Sequence, residues 1–409
     1  MDARSLIIGI FVTAIARASN PQTGGESIIM PEPAFYAALS RAAAKMGIYL
    51  YVFAAQTCKD DKGWLEGYRY IGREWTAVQA PFPHIVYDRA FCTLSGQRQQ
   101  CRATLDALYA RKPFLQLNGN LPSKLSVYEA LLKDSRIAPY LPPTELCQSV
   151  RQAMGIVDRH ALGVVIKPAG GMQGRGIVRI RRSLLHRGFA AEGRTLGNKP
   201  FVKIFEDEDK LKGWLTAYMS KGSLLAQPYL ELTDSSETPF DIRVLLQKDD
   251  SGRWQTTGSA VRLGRKNSLT SNLHGGGSSR QAHAWLTAAL GEAEAEHLLS
   301  QIHIITHHTA KKLEDCFGRF AELAFDFGID RSGAIWLLEA NAKPGRSVFK
   351  LNGDQEAERC SIERPLLYGR LLSRRLLPSF VTNESANGRQ YHSNEIKRLR
   401  PLNVQEVHR

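Results

Sequence analysis

Cysteine, long apolar runs and basic tracts are all scarce in this 409-residue chain, and each scarcity removes a class of protein. The six cysteines (Cys58, Cys92, Cys101, Cys147, Cys316 and Cys360) form no Cys-x-x-Cys pair. Zinc ribbons and redox dithiols are therefore unsupported, and the scatter suits a reducing, cytoplasmic compartment. No apolar run reaches the roughly 18–20 residues that a membrane helix needs. The net charge is +14, yet no long Lys/Arg tract carries it. So diffuse an excess fits attraction of an anionic small molecule better than nucleic-acid binding. A Gly-Lys-Ser/Thr phosphate loop is absent, and no Ser-His-Asp or Cys-His set stands out. No internal repeat is visible.

What is present is ordinary globular material, 43% hydrophobic and 23% charged, enough for two or three domains. The stretch Leu6 to Ala16, followed by Ala18-Ser19, faintly resembles a signal peptide. Asp2 cancels Arg4, however, and the β-branched run from Leu6 to Val12 reads better as a buried first strand. A helix over 32–46 and a strand at Tyr49–Phe53 follow. Strand, helix, strand in that order implies a parallel sheet with a right-handed crossover. Further strands are expected at 84–89, 164–167, 177–180, 224–230, 241–247 and 254–261, and helices over 123–133 and 281–313. The tail beyond about 380 is polar and expected to be loosely ordered.

The most informative segment is Ala324-Phe325-Asp326-Phe327-Gly328-Ile329, which alternates as a strand should. Ser332-Gly333 is a two-residue turn signal leading into Ile335–Leu338. Counting back from that turn sets Asp326 opposite Glu339, with Cβ atoms about 4.5–5.5 Å apart. Asn341 lies two residues beyond Glu339, on the same face. Opposed carboxylates repel, and a dication with hard oxygen ligands such as Mg²⁺ relieves the repulsion. The competing reading is a solvated acidic face or an ion pair with a nearby arginine.

Three other segments bear on that choice. Lys167-Pro168 leads into Gly170, Gly171, Gly174 and Gly176, and Ile177–Ile180 then reads as a strand. This excludes a dinucleotide-binding fingerprint, which needs a helix there, and suggests a flap whose bare amides can approach phosphate. Gln227-Pro228-Tyr229-Leu230 is a strand interrupted by proline, either an edge strand or one leaving backbone groups free for a ligand such as adenine. Asp241 and Arg243 share a strand face and form an ion pair on one reading; on the other, Arg243 and Arg262 both grip phosphate oxygens.

Taken in order, these residues resemble the ATP-grasp superfamily. Gly67-Tyr68-Arg69-Tyr70, Val86-Tyr87-Asp88-Arg89, Phe240-Asp241-Ile242-Arg243-Val244 and Trp336-Leu337-Leu338-Glu339-Ala340-Asn341-Ala342-Lys343-Pro344-Gly345 are similar to hallmarks of the YheC/YheD family of endospore coat-associated proteins. The resemblance implies an α/β (α+β) ATP-grasp fold behind an N-terminal open parallel-sheet domain at 1–115. It implies a lid subdomain with the flap at 116–235, a catalytic subdomain at 236–380 and a tail at 381–409. Lys124 and Lys167 would then hold ATP phosphates under the flap, with Gln227, Pro228, Tyr229 and Leu230 around adenine and Asp241 near the ribose. Arg243, Arg262 and Asn272 would serve the phosphoryl transfer, and Asp326, Glu339 and Asn341 would hold magnesium or manganese. The implied activity is ATP-dependent joining of a carboxylate to an amine. A non-catalytic nucleotide-binding or structural protein of the spore coat, in the mother cell of a spore former, is the alternative. Two positions depart from the pattern. Ala324 stands where D-alanine ligases carry arginine, and Pro122-Ser123-Lys124 replaces the usual Asn-Asp-Lys.

Overall fold

In the computed structural model, which describes residues 5–19, 26–57, 63–92, 95–171, 174–183, 188–220, 222–266, 268–271 and 276–384, the first β-branched run is β1 (Ile7–Val12). An arm of β2 (Ala16–Ser19) and β3 (Glu26–Ile29) follows, then α1 (Pro33–Lys45) and β4 (Tyr49–Ala54). β5 (Leu65–Ile71), β6 (Glu74–Ala80), β7 (Ile85–Asp88), α2 (Ser95–Arg111) and β8 (Leu115–Gln116) complete the unit. The strand order is β6-β5-β4-β1-β7-β8. β4, β1, β7 and β8 run parallel, as the crossover pattern requires. An antiparallel β5–β6 hairpin extends the edge. Most β6 side chains are solvated, so no apolar alternation marks that strand in the sequence.

α3 (Lys124–Leu132) is capped by Ser123, whose hydroxyl accepts from the Ser126 amide at 3.1 Å. β9 (Glu145–Cys147), α4 (Val150–Arg159), β10 (Val164–Pro168), β11 (Val178–Arg182), β12 (Phe189–Arg194), β13 (Pro200–Phe205), α5 (Glu208–Met219) and β14 (Leu224–Pro228) follow. They build an antiparallel sheet in the order β13-β12-β11-β10-β14-β9. α4 and α5 seal it with Met154, Ile156, Leu211 and Leu215. β14 stops at Pro228 rather than running on to Leu230, because proline offers no N–H to the ladder.

The third sheet is also antiparallel. It contains β15 (Phe240–Lys248), β16 (Trp254–Leu263), β17 (Ser278–Gln281), β18 (Glu322–Ile329) and β19 (Ile335–Asn341), in the order β17-β16-β15-β18-β19. α6 (Ala282–Leu290) and α7 (Glu292–Phe317) precede β18. The helix expected over 281–313 is thus two helices. Gly291 parts them at φ 90° and ψ 161°, a conformation that glycine takes without steric cost. α7 packs Ile302, Ile305 and Leu313 under Ile242, Val244 and Leu246. On the other face Leu245, Ala260 and Ala324 meet Val348 and Phe349 of α8 (Ser347–Leu351). α9 (Gln355–Glu384) then returns to the first sheet, whose core takes Leu366, Tyr368 and Leu372.

The β18–β19 hairpin departs from its sequence-based turn. Asp330 collects the amides of Ser332 and Ala334 on one carboxylate oxygen, at 2.9 and 3.1 Å, and so closes a loop from Asp330 to Ala334. Ile329 therefore pairs with Ile335, one residue out of the expected step. A bulge between Asp326 and Phe327 takes up the extra residue and restores Asp326 opposite Glu339.

Candidate functional site

Four neighbouring strands carry the charged row. Arg243 of β15 faces Asp326 of β18, which faces Glu339 of β19, while Asp241 faces Arg262 of β16. The Arg243 guanidinium donates from Nε and Nη2 to the two Asp326 oxygens, both at 2.8 Å. Arg262 Nη2 lies 3.0 Å from Asp326 Oδ2. The same guanidinium grips Asp241 through two bonds of 2.6 and 2.7 Å, and the Ser271 hydroxyl donates to Asp241 as well. The same-strand pairing of Asp241 with Arg243 that their shared face suggested is replaced by these cross-strand bonds. Burial alone would raise the Asp326 carboxyl, but the two guanidiniums hold it well below the usual carboxylate range.

Three guanidinium contacts on a carboxylate with about four lone-pair positions leave Asp326 one position for a further ligand. Glu339 is not drawn into this cluster. Its carboxylate lies 3.2 Å from Lys124 Nζ, at the start of α3. The side-chain nitrogen of Asn341 is enclosed and has no hydrogen-bond partner among the described residues. The donor set Asp, Glu and Asn consists of hard oxygens, which suits Mg²⁺.

Lys167 enters the same cleft from the second sheet. Burial, with a smaller push from Lys124, lowers its ammonium to about 8 against the opposing pull of Glu339. Lys124, Lys167, Gln227 and Glu339 line one pocket whose walls are apolar: Leu121, Val127, Tyr128, Leu131, Leu225 and Leu337. Cationic side chains among apolar walls suit an anionic ligand with an apolar part.

Of the four residues expected at the adenine hinge, Gln227 lines this pocket. Gln227 donates to the Thr144 hydroxyl at 2.6 Å, and the Arg179 guanidinium lies 3.4 Å over the Tyr229 ring. The Tyr229 amide is bound by the Gly163 carbonyl at 3.0 Å, whereas the Leu230 amide makes no hydrogen bond to a described residue. In the flap, Gly174 and Gly176 take φ of 68° and 69°. The amides of Gly171 and Gly176 bind Pro168 and Thr195 carbonyls, so those two are turned into the hairpin. Gly170 is exposed. Asn272 lies outside the described residues.

Sequence reasoning gave no role to the residues beneath the charged row. Arg89 is fully buried and bonds Glu32, Glu322 and the Pro344 carbonyl. Lys343, two residues past Asn341, reaches Asp88 and the Ala90 carbonyl, both at 2.8 Å. Asp88-Arg89 and Lys343 were visible as motif residues, but their partners are 255 positions apart and leave no local signal.

Endospore coat-associated protein YheC of Bacillus subtilis (strain 168) is 27% identical over 340 residues, covering 81% of this chain and 92% of that one. YheD of the same organism is 28% identical over 346 residues, covering 84% of this chain and 75% of the other. The D-alanine-D-alanine ligase from Coxiella burnetii superposes with a TM-score of 0.50 at 10% identity, over 93% of this chain and 100% of the ligase, which speaks for the fold alone. Among the described residues no helix is long and apolar enough to cross a membrane. The model of the YheC/D-like ATP-grasp family matches residues 114–372, the span holding both lysines and all the paired strands of the cleft, and the chain belongs to that family.

Proposed function

We propose that the chain binds Mg-ATP in the cleft between its second and third sheets and uses it to join a carboxylate to an amine. The observation that carries this reading is the meeting of Lys124, Lys167 and Glu339 in the lining of one largely apolar pocket. Cations for phosphate stand there beside a carboxylate for a dication. Lys124 and Lys167 hold the phosphates, the flap from Gly170 to Gly176 covers them, and Gln227 to Leu230 border the adenine. The open Leu230 amide supports the hinge role. Asp241 shapes the ribose side through Arg262.

Asp326, Glu339 and Asn341 are the residues that would hold magnesium. When bound, the ion neutralises charge on the phosphate oxygens. Arg243 and Arg262, already oriented by Asp326, stabilise the phosphoryl group as it passes to the acid, and Asn272 belongs to the same region. The acyl phosphate so formed needs no protein nucleophile. An amine attacks its carbonyl carbon and phosphate leaves. On this reading 1–115 is the preceding domain, 116–235 the lid and 236–380 the catalytic part. The relatives' naming adds association with the endospore coat.

The test is ADP release by the purified chain offered amino acids, peptides and cell-wall precursors with Mg-ATP. Turnover that disappears in Glu339→Ala is the expected result. Unchanged magnesium-dependent nucleotide binding in that variant would sink the assignment. One observation favours a second reading, a nucleotide-binding coat protein without turnover: both guanidiniums are engaged by carboxylates. Nucleotide binding with no ADP release across the panel would support it.

A further inference from the structure

Five of the eleven histidines, His283, His297, His303, His307 and His308, lie within one short stretch of α6 and α7. Four of them line a groove with Glu296, Ser259 and Asp354. This groove is not the nucleotide cleft. Ser259 pairs with Val244, whose side chain packs among the α7 residues, whereas Arg243, the preceding residue, points to the opposite face with Asp326. At one end of the groove the break at Gly291 folds α6 back so that His283 meets the first turn of α7. His283 Nε2 is 3.2 Å from Glu292 Oε1, and the donor atoms of His283, Glu292 and Glu296 all lie within 4.8 Å of one another.

We propose that His283, Glu292 and Glu296 form a binding site for a divalent transition-metal ion of the zinc class, separate from the nucleotide site. In a tetrahedral zinc site with bonds of about 2.0–2.1 Å, neighbouring donors stand about 3.3–3.4 Å apart. The His283–Glu292 ion pair, at 3.2 Å, stands close to that edge, and the Glu296 donor lies within 4.8 Å of both partners. Glu292 and Glu296 are like charges one helical turn apart, an arrangement that costs stability unless a cation lies between them. The Thr287 hydroxyl donates to Glu292 Oε2 at 3.0 Å and leaves Oε1 aimed at His283. Such outer hydrogen bonds orient metal ligands. One imidazole with two carboxylates selects zinc, nickel or copper over magnesium. A chain of net charge +14 draws anions generally, so a cation site on it has to be built locally. Farther along the groove, burial and histidine neighbours push His303 and His307 below the ordinary imidazole range, which disfavours their charged forms.

Calorimetric titration of the untagged full chain with Zn²⁺ tests the site. The expected result is one equivalent bound, weakened at least tenfold by His283→Ala and by Glu296→Gln, with Glu339→Ala binding zinc as the parent does. His283 is 53% exposed and Glu296 is exposed as well, so these variants fold, and a thermal melt checks it. Absence of binding overturns the proposal. So does binding indifferent to His283 and Glu296, or binding lost only in His303→Ala or His307→Ala.

Discussion

Arg89 and Glu322 face each other at 3.2 Å with both side chains wholly out of solvent. Tyr87 and Arg346 also donate to Glu322, and Glu32, held at φ 46° ahead of α1, closes on Arg89. Glu322 is the first residue of β18, and Asp326 is on the same strand. The network therefore seats β18 on the N-terminal sheet. Arg89→Met leaves Glu32 without its cation and leaves the wholly buried Glu322 with Arg346 alone. A loss of roughly 3 kcal/mol or more is expected, read as a shift of the denaturant midpoint.

Arg243→Met tests the transfer step apart from binding. Asp326 keeps Arg262 at 3.0 Å, so the carboxylate stays ionised and in place. ADP release should fall about a hundredfold, the usual effect of removing one charge-stabilising donor, while nucleotide affinity changes little. A fall in affinity equal to the fall in turnover would move Arg243 to the ground state.

Lys167 predicts a pH profile. Its free-state value is about 8, and bound phosphate raises it by favouring the ammonium. Affinity is then highest below pH 8 and declines as pH rises through that value. Binding near pH 8.5 (roughly half a unit above that value) takes up a proton. Calorimetry in buffers of different ionisation enthalpy measures the uptake, and Lys167→Met abolishes it.

Gly176→Ala tests the flap. At φ 69° an added Cβ would lie 2.8 Å from Leu196 Cδ2 and 3.0 Å from Pro168 Cγ. The backbone penalty alone is about 1–2 kcal/mol. ATP affinity should drop and unfolding should begin earlier. Gly170→Ala, which meets open space, should change neither.

Legibility followed range. β1 and β4 were plain because strands buried on both faces need unbroken apolar runs. The Asp326–Glu339 pairing was reached from the sequence through two errors that cancel: the loop is longer than its turn signal, and a bulge restores the step. The bulge has no residue signature here. The partners of Arg89, Lys343 and Gln227 were invisible because contacts between distant segments leave no periodicity to read. Lys124 emerged only by likeness to a family pattern it does not fully follow, yet its ammonium lies beside Glu339.

The return of α9 to the first sheet bears on how this protein can change over evolutionary time. Gly369 lets the helix settle where a Cβ would come within 3.3 Å of Ile8 and 3.6 Å of Ile85. The opening segment of the chain thus borrows its apolar cover from the closing one. Neither end is a module that recombination can exchange alone: a shuffled N-terminal unit arrives with a bare face unless its own terminal helix travels with it. Change in either segment is thereby tied to change in the other.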